Sequence, residues 1–247
     1  MAAGTFTTGN RSTAAGFTTT AMIIATTTIT DRALTRLLQL ASPALPVGAY
    51  SYSQGLEAAI EAGIVRDANG AARWIADVLE LATSRMEAPV FLRLHAAWRR
   101  GDVADAERWN AFFLASRETA ELRAETAQMG YSLARLLADL EVGEIPFDET
   151  ALPTAFTLAA AKWGIAAEDA LAGYLWSWLE NQVMAAVKAV PLGQTGGQRM
   201  LFALAGRIDE VARRAAALPD DALGNLAPGL ALLSARHETQ YTRLFRS

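Results

Sequence analysis

The stretch from Ala170 to Val190, ALAGYLWSWLENQVMAAVKAV, decides the fold. Leu171, Leu175, Trp178, Leu179, Val183, Ala186, Val187 and Val190 recur at steps of three and four residues, the period of an α-helix. Their apolar surface spreads over more than one face, as expected of a helix enclosed by other helices. Glu180, Asn181, Gln182 and Lys188 interrupt it and would be costly in lipid, so the segment reads as a buried central helix and not as a membrane span.

The same period continues on both sides. Leu34, Leu37, Leu38 and Ala41 form one helical face that ends at Ser42-Pro43. Ala71, Trp74, Ile75, Val78 and Ala82 form another, with Asp67 as its N-cap. Val90, Leu94, Ala97 and Trp98 start a new helix after Pro89, which stops at Gly101. Leu122, Thr126, Met129, Leu133, Leu136 and Leu140 make a longer stripe. Leu201, Leu204, Ile208, Val211 and Ala215 read as one amphipathic helix, and a last helix spans about Gly229 to Glu238. The connections carry Gly or Pro: 43–48, 143–153, 191–197 and 219–228. Convincing strand alternation is missing. The expectation is an all-α protein, with a single helical domain over 31–247 packed around the central apolar helix. Residues 1–30, rich in Thr, Ala, Gly and Ser, lack packing groups and read as a disordered low-complexity extension. Met22 is a candidate start, and 23–29 is a β-branched run without a partner strand.

Composition narrows the function. Hydrophobic residues make up 52% of the 247, enough for a substantial core, and much of this is the alanine that close helix packing favours. A net charge of -4 argues against nucleic-acid binding. The chain has no cysteine, which excludes disulfides, thiolate metal sites and cysteine nucleophiles. Its two histidines, His95 and His237, cannot build a three-histidine metal site within one chain. At most a weak site around His237 in a symmetric dimer remains open. No phosphate-binding loop, nucleophile elbow or HExxH motif occurs, and Glu61, Glu80 and Glu87 read as scattered carboxylates on solvated helix faces. No catalytic residue and no metal ligand is assigned. The residues at 14–29 make a poor signal peptide.

Three segments stand out. Leu45 to Glu57, LPVGAYSYSQGLE, couples a turn at Pro46 and Gly48 to a helix start with Ser51, Ser53, Gln54, Gly55 and Glu57. It reads either as a well-specified loop-to-helix transition or as a docking surface anchored by Tyr50 and Tyr52. Val190 to Gln198, VPLGQTGGQ, reads as an interhelix turn or, through its clustered glycines with Gln194 and Gln198, as the lining of a polar passage or an anion-binding turn. Ser234 to Ser247, SARHETQYTRLFRS, places Tyr241, Leu244 and Phe245 among Arg236, Arg243 and Arg246, with His237 and Glu238 just before. Arg and aromatic residues together suit a protein interface. The plain alternative is a tail that folds back on its own domain. As a docking element the tail would be removable after Glu238 without unfolding the core. His95, beside Leu94, reads as structural.

With Ala115 to Arg123, ASRETAELR, these segments resemble the UreF family of urease accessory proteins, in that family's order and spacing from about Asp31 to Ser247. Two departures fall near Leu152-Pro153 to Phe156-Thr157, where the family often carries His before Pro and Gly after Phe. The resemblance implies an all-helical cytoplasmic homodimer that is not an enzyme and needs no cofactor. It implies binding to UreD (UreH in some organisms), to the GTPase UreG through that complex, and to urease apoprotein, so that nickel is inserted and the metallocentre assembled. A conduit for nickel through the complex is among the roles implied. Two other readings stay open: a direct regulator of a GTPase through Arg236, Arg243 or Arg246, and an all-α enzyme with a carboxylate-rich pocket.

Overall fold

The computed structural model describes residues 1–2 and 30–247. The candidate strand at 23–29 and most of the extension read over 1–30 lie outside the described residues. Among the described residues the regular structure is helical: α1 (Asp31–Leu40), α2 (Leu56–Glu61), α3 (Ala68–Val78), α4 (Ala88–Arg100), α5 (Val103–Ala115), α6 (Ala120–Asp139), α7 (Leu152–Lys162), α8 (Ala167–Ala189), α9 (Gly193–Ala205), α10 (Ile208–Ala217) and α11 (Pro228–His237). The all-α expectation holds. None of these helices is long and apolar enough to cross a membrane.

Helix α8 is the central element. Leu171, Leu175, Leu179 and Ala186 have no exposed surface, and Gln182 is buried among them. It touches α1, α2, α3, α4, α7, α9 and α10. Caps fall where the residue types demand: Asp67 accepts from the Gly70 amide at 2.7 Å, and Gly101 closes α4 in the left-handed region at φ 71°.

Several local readings change. The face of α1 is rotated: Ala33 and Leu40 are buried and Leu37 half-buried, whereas Leu34 and Leu38 face solvent. Pro89 does not begin a separate helix. Leu79–Glu87 winds as a π-helix that joins α3 to α4 without a break. Proline brings no amide, so the carbonyl four residues earlier loses its helical donor. The Gly224 amide reaches the Arg85 carbonyl at 3.3 Å, and the Leu226 amide reaches that of Leu81 at 3.0 Å. The stripe from Leu201 to Ala215 is two helices, separated at Gly206-Arg207. Most of 191–197 is helical, because α9 starts at Gly193. A Cβ on Gly197 would stand 2.5 Å from Val187 Cγ2, so its small size lets α9 lie close on α8. Helices α5 and α7 had no clear stripe to announce them. Glu87 is not on a solvated face: it is buried and accepts a hydrogen bond from the Tyr174 hydroxyl. His95 is buried and contacts the Ile165 carbonyl at 3.0 Å. Burial pushes its pKa down, so it stays a neutral structural ring.

Candidate functional site

The loop at 45–57, the start of α6 and the tail at 234–247 converge on one surface. Gly48 at φ 78° turns the chain into a short 3-10 turn at Ala49–Ser51. Pro46 and Tyr50 remain exposed, while Tyr52 and Ser53 turn inward. Gln54 holds φ 50°, a conformation unfavourable for a residue with a Cβ. Its side chain explains why it stays there: Nε2 donates to Glu125 Oε1 at 2.6 Å and Oε1 accepts from Trp178 Nε1 at 2.7 Å. Asn181 Nδ2 donates to the Tyr52 carbonyl at 3.1 Å, fixing the loop to α8. Gly55 then opens α2, whose first turn carries Glu57.

Glu57 is the anchor of the tail. Its carboxylate accepts from the Leu244 amide at 2.6 Å and from the Phe245 amide at 2.9 Å. His237, with no exposed surface, places Nε2 3.2 Å from Glu57 and Nδ1 2.7 Å from Glu121. Arg243 donates to the other Glu121 oxygen at 2.6 Å. Glu238 accepts from the Ala120 amide at 3.0 Å, an acidic cap at the positive end of α6. Thr119 completes this cap and meets Ser234 of α11 at 2.8 Å. Further along, the Arg246 amide donates to the Ser51 carbonyl at 2.7 Å, and the Ser53 amide donates to the Ser247 main-chain oxygen at 2.8 Å. Phe245 is 6% exposed, and the Lys188 ammonium lies over both its ring and that of Tyr50.

The tail is therefore folded onto its own domain, and its anchors are interior groups. His237, Phe245 and Tyr52 are buried, so no partner reaches them while the tail is seated. The expectation that truncation after Glu238 leaves the core undisturbed is revised for the same reason. Arg236, Glu238, Tyr241, Arg243, Leu244 and Arg246 remain exposed. Gln194 and Gln198 stand exposed on α9 and, among the described residues, make no hydrogen bond to this surface. Among the described residues no group of three or more His, Cys, Asp or Glu side chains is placed to hold a metal ion.

Glu121 and Glu125 were missed at the level of sequence. They sit four apart on α6, and that spacing on one helix face was the available signal. Glu125 is 3% exposed, and it accepts from Gln54 and from Ser247 Oγ at 2.7 Å. Burial, assisted by the nearby Glu87, pushes its pKa up to about 7, against the opposing pull of those hydrogen bonds and of Arg117. The folded state thus binds this proton more tightly than the unfolded chain. The resulting stabilisation is complete below the ordinary carboxylate pKa and is lost as pH rises through about 7. Glu125→Gln is expected to gain roughly 3–6 °C in melting temperature relative to wild type between pH 5 and pH 8. A difference between the two proteins that does not change with pH would show that Glu125 does not titrate in this range.

A family model for UreF matches residues 65–205. The urease accessory protein UreF of Azoarcus sp. strain BH72 is 60% identical over 223 residues, covering 87% of this chain and 95% of that protein. That of Dechloromonas aromatica strain RCB is 55% identical over 222 residues, covering 87% and 97%. That of Janthinobacterium sp. strain Marseille is 53% identical over 223 residues, covering 87% and 99%.

Proposed function

Because the chain belongs to the UreF family of urease accessory proteins, we propose that it is the scaffold that joins UreD and the GTPase UreG on urease apoprotein while nickel is inserted. As a member of that family it is an accessory protein and not an enzyme. In this reading it works in the cytoplasm as a homodimer, and GTP hydrolysis and nickel carriage are the partners' chemistry.

The observation that carries the reading is the two-sided construction of the tail. Its inner side is fixed by Glu57, Glu121 and Ser53, whereas Tyr241 is fully exposed and Leu244 is 61% exposed. A segment held in place by its main chain binds with less ordering cost than a free one. Tyr241 and Leu244 then supply apolar contact area, and exposed Arg236 and Arg246 supply planar donors for carboxylates on a partner. Tyr50 extends the same surface from the loop.

The Tyr241→Ala, Leu244→Ala double variant is expected to weaken binding to UreD, or to the UreD–UreG assembly, by about tenfold or more. Its melting temperature should stay within about 2 °C of wild type, because both side chains project outward. The comparison is a quantitative pull-down beside a melting curve. Undiminished binding of both partners by a folded double variant would remove the tail from the docking surface.

A further inference from the structure

Beneath the loop at 45–57 lies a cavity of ≈ 360 Å³, reaching from the end of α1 to α6, α7 and α8. That volume is in the range of small-molecule sites, roughly 300–1,000 Å³. Much of its wall is apolar, with Leu40, Leu45, Met129, Leu152, Phe156 and Trp178 contributing. Its polar groups include Glu87, Arg117, Glu125 and Tyr174.

Arg117 is unfinished. Its side chain is 11% exposed and lies with its guanidinium 4.4 Å from the centre of the Phe113 ring. Nε is buried without a hydrogen-bond partner among the described residues. The Glu87 Oε2 atom stands 3.7 Å from Nη1, too far for a hydrogen bond. Nη1 and Nη2 make no hydrogen bond among the described residues, so the end of this rigid fork that meets the cavity has no protein oxygen to receive it, while Nε is closed off within the wall. The neighbouring carboxylates have the opposite need. Glu87 takes the Tyr174 hydroxyl on one oxygen, and Glu125 takes one donor on each of its two, which leaves lone pairs free on both groups.

The complement of this surface is a carbonyl oxygen beside an N–H donor. Net charge on a ligand fits poorly in either sign: Glu87 repels an anion and the fixed guanidinium repels a cation, with Glu180 and Lys188 elsewhere in the wall offsetting each other. Water satisfies the polar groups but leaves the apolar wall unfilled, so a ligand with an apolar body gains where water does not. We propose that the cavity binds a small uncharged amide carrying an apolar or aromatic body, with its oxygen on Arg117 and its N–H groups on Glu87 and Glu125. The proposal does not need the scaffold reading: the two share only Tyr50, at the mouth of the cavity, and the polar groups invoked here are Arg117, Glu87 and Glu125.

The test uses the full chain and three probes of one shape: benzamide, benzoate and benzylamine. Binding is followed by calorimetry and by ligand-observed NMR. Benzamide is expected to bind saturably at one site and about tenfold or more tighter than either charged analogue. Its ring protons should show intermolecular Overhauser contacts to the Trp178 indole and the Met129 methyl. Arg117→Met should weaken benzamide by about tenfold or more. Because that side chain is buried, the wild-type probe series and the Overhauser contacts stand as tests even if the variant does not fold. Benzamide that fails to saturate, charged analogues that bind as tightly, contacts to residues elsewhere, or full affinity in a folded Arg117→Met variant would each overturn the assignment.

Discussion

Removal of residues 239–247 is expected to lower the melting temperature by roughly 10 °C, a loss of about 3 kcal/mol. The cut takes away the buried Phe245 ring, whose transfer from water contributes on the order of 1.5–3 kcal/mol. It removes both main-chain donors of Glu57, the Arg243 partner of Glu121 and the Ser247 hydroxyl on Glu125. Hydrogen bonds to charged groups contribute about 1.5–3 kcal/mol each. Against this stands the ordering of the tail, at roughly 1–2 kcal/mol per residue, which offsets much of the gross gain. Glu57→Ala should reproduce a large part of the loss with one side chain, because it removes the two anchoring bonds and one contact of His237. A truncated protein that melts within about 2 °C of wild type would show that the seated tail adds nothing to stability. Loss of partner binding on truncation therefore carries little information about docking by itself. The outward-facing Tyr241 and Leu244 separate the two effects.

Gly130→Ala is expected to be more damaging than its chemistry suggests. In the interior of an exposed helix the change would stabilise by up to about 1 kcal/mol. Here a Cβ would stand 2.0 Å from the Thr150 carbonyl oxygen, 2.5 Å from the Ala151 carbonyl carbon and 2.8 Å from the Leu152 amide nitrogen. All three are backbone atoms at the start of α7, held in part by Asn110, whose Oδ1 accepts from the Ala151 amide at 2.9 Å. Relief requires α6 and α7 to separate, which opens the core around Met129 and Leu133. A loss of about 3–5 kcal/mol, or roughly 10 °C and more in melting temperature, is expected. Gly143→Ala is the control: the nearest atoms to its Cβ are side-chain carbons of Leu158 and Lys162 at 3.6 Å. It should melt within about 2 °C of wild type. Equal behaviour of the two variants would show that the α6–α7 contact is looser than these distances.

The helical character of the chain was legible because it is local. Side chains at three- and four-residue steps share a face whatever the rest of the chain does. That is why the Leu171 to Val190 stripe, the Asp67 cap and the Gly101 stop were readable directly. The same locality explains the errors. The stripe on α1 admitted two overlapping faces, and the contact with α8 selected the one containing Ala33, Leu37 and Leu40. Pro89 signals a helix start unless another segment supplies the missing donor, and here Gly224, remote in sequence, does so for Arg85. Helices α5 and α7 carry apolar residues without a clean stripe, so their existence emerged only from packing.

The candidate site divides in the same way. Composition alone determined that the chain cannot build a thiolate site or a three-histidine centre, and the tail's mixture of Arg and aromatic residues was visible as unusual. Which of those residues face inward was not. Phe245 and Tyr241 are both aromatic and lie four positions apart, yet one is buried and the other fully exposed, because the tail's path is set by Glu57, 188 positions before Phe245. The proton on Glu125 and the unmet Nε donor of Arg117 likewise depend on burial, which three-dimensional packing creates between residues remote in sequence. Sequence by itself determined helix, composition and the family's motifs, since backbone geometry and residue chemistry are carried by short stretches. The tertiary structure decided which polar groups lose water and what replaces it, since desolvation depends on every element that closes around a side chain.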